Sequence, residues 1–82
     1  MIIYVKIFPI AGICEAARDM EFELREGSLD ELLSCLREEL GAAPLPLETL
    51  MFLLNGRGLD INEPAQFSDG DRLWILPQIS GG

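Results

Sequence analysis

The segment REGSLDELLSCLREELG, residues 25–41, constrains the fold most, because it predicts a helix together with both of its ends. Ser28 can cap the helix, and Glu31 completes a capping box three residues later. Gly41 supplies a left-handed stop. Between these ends the leucines recur at helical spacing and form one apolar stripe: Leu29, Leu32, Leu33, Leu36 and Leu40. The rest of the fold must therefore offer this stripe an apolar surface.

The other segments with a regular pattern predict β-strands. Residues 2–8 are β-branched and aromatic up to Pro9, which ends the run. Residues 20–24 alternate apolar and acidic side chains, which is typical of a strand with one solvated face. Further strands are predicted at three places: 50–54, a short edge strand at 59–61, and 72–76.

This order of elements, two strands, a helix and then three strands, predicts an α+β fold. The chain has 82 residues, which is enough for one hydrophobic core. The economical arrangement is a mixed sheet of four to five strands with one main helix across one face.

Two of the predicted strands, LMFLL and LWIL, are apolar at successive positions, as in strands that are buried on both faces. A single helix covers one face, so the far side should carry exposed apolar residues, and such patches are often partner surfaces. The candidate partner contacts are Phe52, Leu54, Trp74 and Leu76. The alternative is that the loops at 9–19 or 41–49 fold back over them.

The composition argues against several classes of function. Fourteen acidic residues face six basic ones, for a net charge of −8, which disfavours nucleic acids and anionic membranes as partners. The chain has no histidine, and we predict no metal site. Cys14 and Cys35 form no CxxC pair and are expected to be reduced, partly buried thiols. The opening segment lacks the basic stretch of a signal peptide, and no apolar run could span a membrane, so we predict a cytoplasmic protein.

Several segments together resemble a known family. They are the opening YVKIF, the stretch EAARDMEFELREGSLDELLSCL, the NG turn at 55–56 and the ending SDGDRLWILPQISGG. In this order they resemble the MoaD/ThiS group of ubiquitin-like sulfur carriers, most of all the small subunit of molybdopterin synthase. The chain departs from the family pattern at Pro77-Gln78, where many members have two prolines, and it lacks the basic residues that often follow the first strand.

The resemblance implies a ubiquitin-like β-grasp fold, in which the first and last strands lie parallel at the centre of the sheet. It also implies a carrier that is not itself an enzyme and binds no cofactor. In this family, a partner related to ubiquitin-activating enzymes uses ATP to adenylate the C-terminal carboxylate, here that of Gly82. A sulfur donor such as a cysteine desulfurase supplies the sulfur of the resulting thiocarboxylate. The large subunit of the synthase holds the pterin that accepts this sulfur.

The end of the chain has its own physical interpretation. We predict a β-grasp domain over 1–76 and a flexible diglycine tail over 77–82. Glycine lacks Cβ, so Gly81 and Gly82 could pass through a narrow channel in a partner. The tail residues expected to lie in such a channel are Pro77, Gln78, Ile79, Ser80 and Gly81. The alternative is that the two glycines form an inert stub.

Three other functions use the same features. A carrier could serve thiamine thiazole or another thio-metabolite instead of molybdopterin. A ubiquitin-like protein modifier would use the same tail to form isopeptide bonds with lysines. A plain interaction module would have an inert tail.

Overall fold

The computed structural model describes residues 1–41 and 45–78. Within these residues there are one α-helix and five strands, and a 3₁₀ turn at Leu47–Thr49 precedes the third strand. In chain order the elements are β1 (Ile2–Ile7), β2 (Arg18–Glu23), α1 (Leu29–Leu40), β3 (Leu50–Leu54), β4 (Arg57–Leu59) and β5 (Arg72–Pro77). Each predicted element is present, with bounds shifted by two residues or fewer.

The five strands form one mixed sheet in the order β2-β1-β5-β3-β4. The central neighbours β1 and β5 are parallel, with Val5 opposite Leu73. The other pairs, β1–β2, β3–β4 and β3–β5, are antiparallel. A parallel pair needs a long crossover, and here the crossover contains the helix. The predicted α+β class, the mixed sheet and the parallel central strands are confirmed.

Helix α1 begins and ends at the predicted residues. Ser28 has extended backbone angles, and its Oγ accepts a hydrogen bond from the backbone N–H of Glu31 at 3.2 Å. Gly41 adopts the left-handed conformation at φ 64°, and its N–H donates to the carbonyl of Arg37 at 3.0 Å. Local sequence signals are therefore sufficient to fix both ends.

The core lies between α1 and one face of the sheet. Along β1 and β5 every second side chain is buried, because successive residues of a strand point to opposite faces. The buried side chains include Ile3, Val5 and Ile7 of β1, Leu32 and Leu36 of α1, Phe52 of β3, and Leu73 and Ile75 of β5. The leucine stripe of the helix thus has the apolar surface that it requires.

Candidate functional site

The outer face of the sheet is the side opposite α1, formed by the strand residues that alternate with the core residues. Three of its large apolar side chains are exposed, Tyr4 to 41%, Met51 to 43% and Trp74 to 46%. The outward residues of these four strands are Ile2, Tyr4 and Lys6 of β1, Asp19, Glu21 and Glu23 of β2, Met51 and Leu53 of β3, and Arg72, Trp74 and Leu76 of β5. An apolar surface therefore lies open to solvent on the side that has no helix.

Trp74 lies at the centre of this apolar surface. Its ring packs edge-on against Phe8, with 5.3 Å between the ring centroids and 61° between the planes. The backbone of Phe8 is held next to β5, because its N–H donates to the carbonyl of Ile75 at 2.9 Å. Leu76 is half-buried on the same face and lies opposite Met51. Two of the predicted partner contacts, Trp74 and Leu76, thus lie on the outer face.

The other two predicted contacts lie on the wrong side of the sheet. Phe52 is only 2% exposed and belongs to the core, since it lies opposite Ile75, whose side chain faces the helix. Leu54 is half-buried and packs against the same core. The prediction is wrong for Phe52 and Leu54 because a shift of one residue moves a strand side chain to the opposite face. The outward residues of β3 that sequence reasoning missed are Met51 and Leu53, of which Met51 is the more exposed.

An open groove of about 400 Å³ crosses the outer face beside Trp74. Its lining includes Tyr4, Lys6, Asp19, Glu21, Arg72 and Trp74. The two cations of the groove lie over aromatic rings: Lys6 Nζ is 5.6 Å from the centroid of Phe8, and Arg72 Cζ is 5.8 Å from that of Tyr4. The groove therefore combines aromatic surface with charges of both signs.

The first two residues of the predicted tail lie at the end of β5. Pro77 is the last residue of β5 and lies opposite Leu50, one residue beyond the predicted end of the strand. The N–H of Gln78 donates to the carbonyl of Thr49 at 2.7 Å. The chain is thus attached to the start of β3 up to Gln78. The tail predictions for Ile79, Ser80, Gly81 and Gly82 lie outside the described residues, and the division at residue 76 stays a prediction.

Both cysteines are free and half-buried. The Cys14 thiol donates to the carbonyl of Phe8 at 3.4 Å. Burial, followed by the nearby carboxylates of Glu31 and Glu38, raises the pKa of Cys35. This thiol is therefore protonated at neutral pH and is a poor nucleophile.

Two further findings concern residues 1–41 and 45–78. No group of three or more cysteine, aspartate and glutamate side chains there could hold a metal ion. In the same ranges, α1 is too short and too polar to cross a lipid bilayer.

Comparison with known proteins gives a likeness to a solved structure. No protein-family model matches the chain, and no curated protein matches it in sequence. The chain is similar to a chain in the solved protein–protein complex of subunits 1 and 2 of the molybdopterin-converting factor from Helicobacter pylori 26695. The two chains are 27% identical with a TM-score of 0.65, and the match covers 100% of each. The predicted MoaD-like resemblance is confirmed by this match.

Proposed function

We propose, from the full-length likeness to a subunit of molybdopterin-converting factor, that the protein is a sulfur carrier and acts as the small subunit of molybdopterin synthase. The observation that carries the proposal is that this match covers 100% of both chains. The acceptor is then the pterin held by the large subunit. The product enters molybdenum cofactor biosynthesis.

The proposed chemistry uses the carboxylate of Gly82 in two steps. First, a carboxylate oxygen attacks the α-phosphate of ATP on the adenylating partner, which forms an acyl-adenylate and releases pyrophosphate. Next, a sulfur nucleophile at the oxidation level of sulfide attacks the acyl carbon. A C–S bond forms, the C–O bond to AMP breaks, and AMP leaves with the electron pair while the sulfur loses its proton to a base of the partner. The product is a thiocarboxylate at Gly82.

Each step has a physical reason. A carboxylate resists nucleophilic attack because it is negatively charged and would have to expel oxide. Adenylation replaces oxide by AMP, which is a much better leaving group. In the thiocarboxylate the soft, deprotonated sulfur is the nucleophile, as it is in thiolates. The chain contains no histidine, which fits a carrier whose catalytic groups are supplied by its partners.

The fold supports this use of the C-terminus. The backbone of β5 is paired on both sides, and Gln78 is hydrogen-bonded at the end of the sheet. Four residues follow Gln78 in the sequence. Fully extended, four residues reach at most roughly 14 Å. The body of the carrier would therefore have to dock closely against a partner for Gly82 to reach a buried site.

The outer face is the proposed docking surface for these partners. Trp74, Met51 and Leu76 supply its apolar part, and exposed apolar surface of this kind is typical of protein interfaces. The solved neighbour is itself a complex of two subunits, which supports a large-subunit partner. The adenylating enzyme and a sulfur donor such as a cysteine desulfurase are the further partners, and a thiol reductant reduces the persulfide of the desulfurase to sulfur at the level of sulfide. The proposed reactions take place in the cytoplasm.

The experiment that tests the proposal measures intact mass after incubation with ATP, sulfide and the adenylating enzyme from the same organism. We expect a gain that corresponds to one oxygen replaced by sulfur, located at Gly82 by fragmentation. Two variants serve as controls, one without Gly82 and one with an alanine added after it. Both should remain folded, since neither change touches the described core, and neither should gain sulfur.

Three outcomes would contradict the proposal. The first is an unchanged mass for the wild-type protein when the enzyme is shown to adenylate another carrier. The second is the recovery of Gly82 in isopeptide bonds with lysines of cellular proteins, which would identify a protein modifier. The third is equal sulfur loading of the alanine-extended variant, which would show that the position of the carboxylate does not matter.

A further inference from the structure

The outward side chains are charged on one side of the outer face and apolar on the other. On the edge strand β2 the outward residues are all acidic and exposed: Asp19, Glu21 and Glu23. We call these three residues the acidic row. On the opposite side of the face, β3 and β5 present the apolar side chains of Met51 and Trp74. Carboxylates thus lie along one side of the outer face, and its apolar part lies on the other.

The acidic row is not neutralised by the cations beside it. Lys6 lies directly opposite Asp19, yet its ammonium group lies over the ring of Phe8. Arg72 similarly lies over Tyr4. Within the described residues the only ion pair joins Arg18 and Glu39, at 3.1 Å, and it lies between β2 and α1. The three carboxylates of the acidic row therefore have no cationic nitrogen within 4 Å in the described part of the chain.

We propose that the acidic row and the apolar part of the outer face form one docking surface, and that the row binds basic side chains of the partner subunit. This inference rests on the proposed function. It specifies the partner's chemistry: an apolar patch that covers Trp74 and Met51, flanked on one side by lysine or arginine. The unneutralised negative charge of the row carries the inference, because the chain has a net charge of −8 and the row has no ion-pair partner among residues 1–41 and 45–78.

The sheet also fixes the spacing of this partner surface. Neighbouring strands lie about 4.8 Å apart. The acidic row on β2 is therefore about 10 Å from β5 and about 14 Å from β3, counted across the strands between them. The partner must place its basic side chains at the same distances from the groups that contact Trp74 and Met51. The row lies at the rim of such an interface, where charges act mainly on the rate of association.

The test compares two charge reversals in the full chain, with the large subunit of molybdopterin synthase from the same organism as the probe. Glu21→Lys changes the acidic row. Glu38→Lys makes the same charge change on the exposed side of α1, away from the outer face. Association and dissociation rates are measured over a series of NaCl concentrations, and thermal unfolding confirms that each variant is folded.

We expect Glu21→Lys to slow association about tenfold at low salt and to weaken its salt dependence, while Glu38→Lys has a much smaller effect. Trp74→Ala serves as the apolar reference and should mainly speed dissociation. Equal effects of the two charge reversals would show that only net charge matters and would overturn the inference. Unchanged rates for Glu21→Lys would show that the row is merely solvated, which overturns it as well. Absence of binding by the wild-type protein would instead count against the proposed function, and the inference would fail with it.

Discussion

The two faces of the sheet are built from alternate residues of the same strands, yet they differ in solvent exposure and in the kinds of side chain that they contain. On β5, Leu73 and Ile75 are fully buried under α1, while Trp74 between them is 46% exposed. The helix face contains apolar side chains packed into one cluster. The outer face contains aromatic rings, carboxylates and two cations. Alternate positions of one strand thus supply the hydrophobic core and a solvent-exposed surface.

This comparison predicts that substitutions on the two faces have separable effects. Neighbouring residues of one strand provide the strictest test, since they share backbone hydrogen bonds and sequence context. A substitution on the helix face should lower the free energy of unfolding. The same kind of substitution on the outer face should leave it nearly unchanged.

The largest effect is expected for Phe52→Ala, with Met51→Ala as its matched control. Phe52 is 2% exposed, and its loss leaves a cavity that should lower the free energy of unfolding by about 3–5 kcal/mol. Met51 is 43% exposed, so its truncation should change stability by roughly 0.5 kcal/mol or less. Urea unfolding followed by circular dichroism measures both. Similar losses of unfolding free energy for the two variants would contradict the predicted difference between the faces.

An intermediate effect is expected for Gly27→Ala, which tests the close packing of Gln66 and Met1 around the residue before the N-cap of α1. Gly27 has φ 74°, and a Cβ there would approach Gln66 Nε2 to 2.7 Å and Met1 Sδ to 2.8 Å. We expect a loss of about 1–3 kcal/mol in urea unfolding. Gly12→Ala is the matched control, because Gly12 also has positive φ but no atom lies within 4 Å of its Cβ position. If the two variants lose equal stability, the contacts around Gly27 contribute nothing.

The smallest effect is expected for Glu31→Gln, and it should depend on pH. The Glu31 carboxylate accepts hydrogen bonds from the N–H groups of Arg25, Glu26 and Gly27 at 2.7, 2.9 and 2.9 Å. These bonds, that of Arg25 foremost, lower the pKa of Glu31 against a smaller opposing effect of burial. A lowered pKa stabilises the fold above the ordinary glutamate pKa, and this contribution is lost as the pH falls through the pKa of the folded state.

Urea unfolding at a series of pH values measures this effect. The wild-type protein should be more stable than Glu31→Gln at neutral pH, and the difference should shrink in acid. Glu23→Gln, on the outer face, makes the same change of side chain at an exposed position and should show a smaller difference at neutral pH. A gap between wild type and Glu31→Gln that stays constant down to strongly acidic pH would contradict the assignment.

The sequence predicts the helix well because its signals are local. Ser28, the leucine stripe and Gly41 lie within one short segment, and both caps form as predicted. One detail differs from the simple capping box. The Glu31 side chain binds the three N–H groups that precede Ser28 instead of that of Ser28 itself. Such a turn depends on backbone angles that the residue pattern does not encode.

The exposed site is less predictable because it depends on contacts between distant segments. The run LMFLL has apolar residues at every position, so its pattern does not distinguish the two faces. Pairing with β5 decides that Phe52 faces the helix and Met51 faces outward. The parallel pairing of the first and last strands at the centre of the sheet is likewise predicted by the family resemblance, not by the residue pattern. The acidic alternation in β2, by contrast, is readable from the sequence, but its position beside Trp74 follows only from the fold.

The position of β5 at the centre of the sheet has a consequence for biosynthesis. Ribosomes make β1, β2, α1, β3 and β4 before the strand that joins them, and the β1–β2 and β3–β4 hairpins share no hydrogen-bonded pairing without it. A nascent chain that stops before residue 72 therefore holds two separate hairpins with open edges, which other chains could pair with. Native closure of the sheet must therefore wait until β5 has left the exit tunnel.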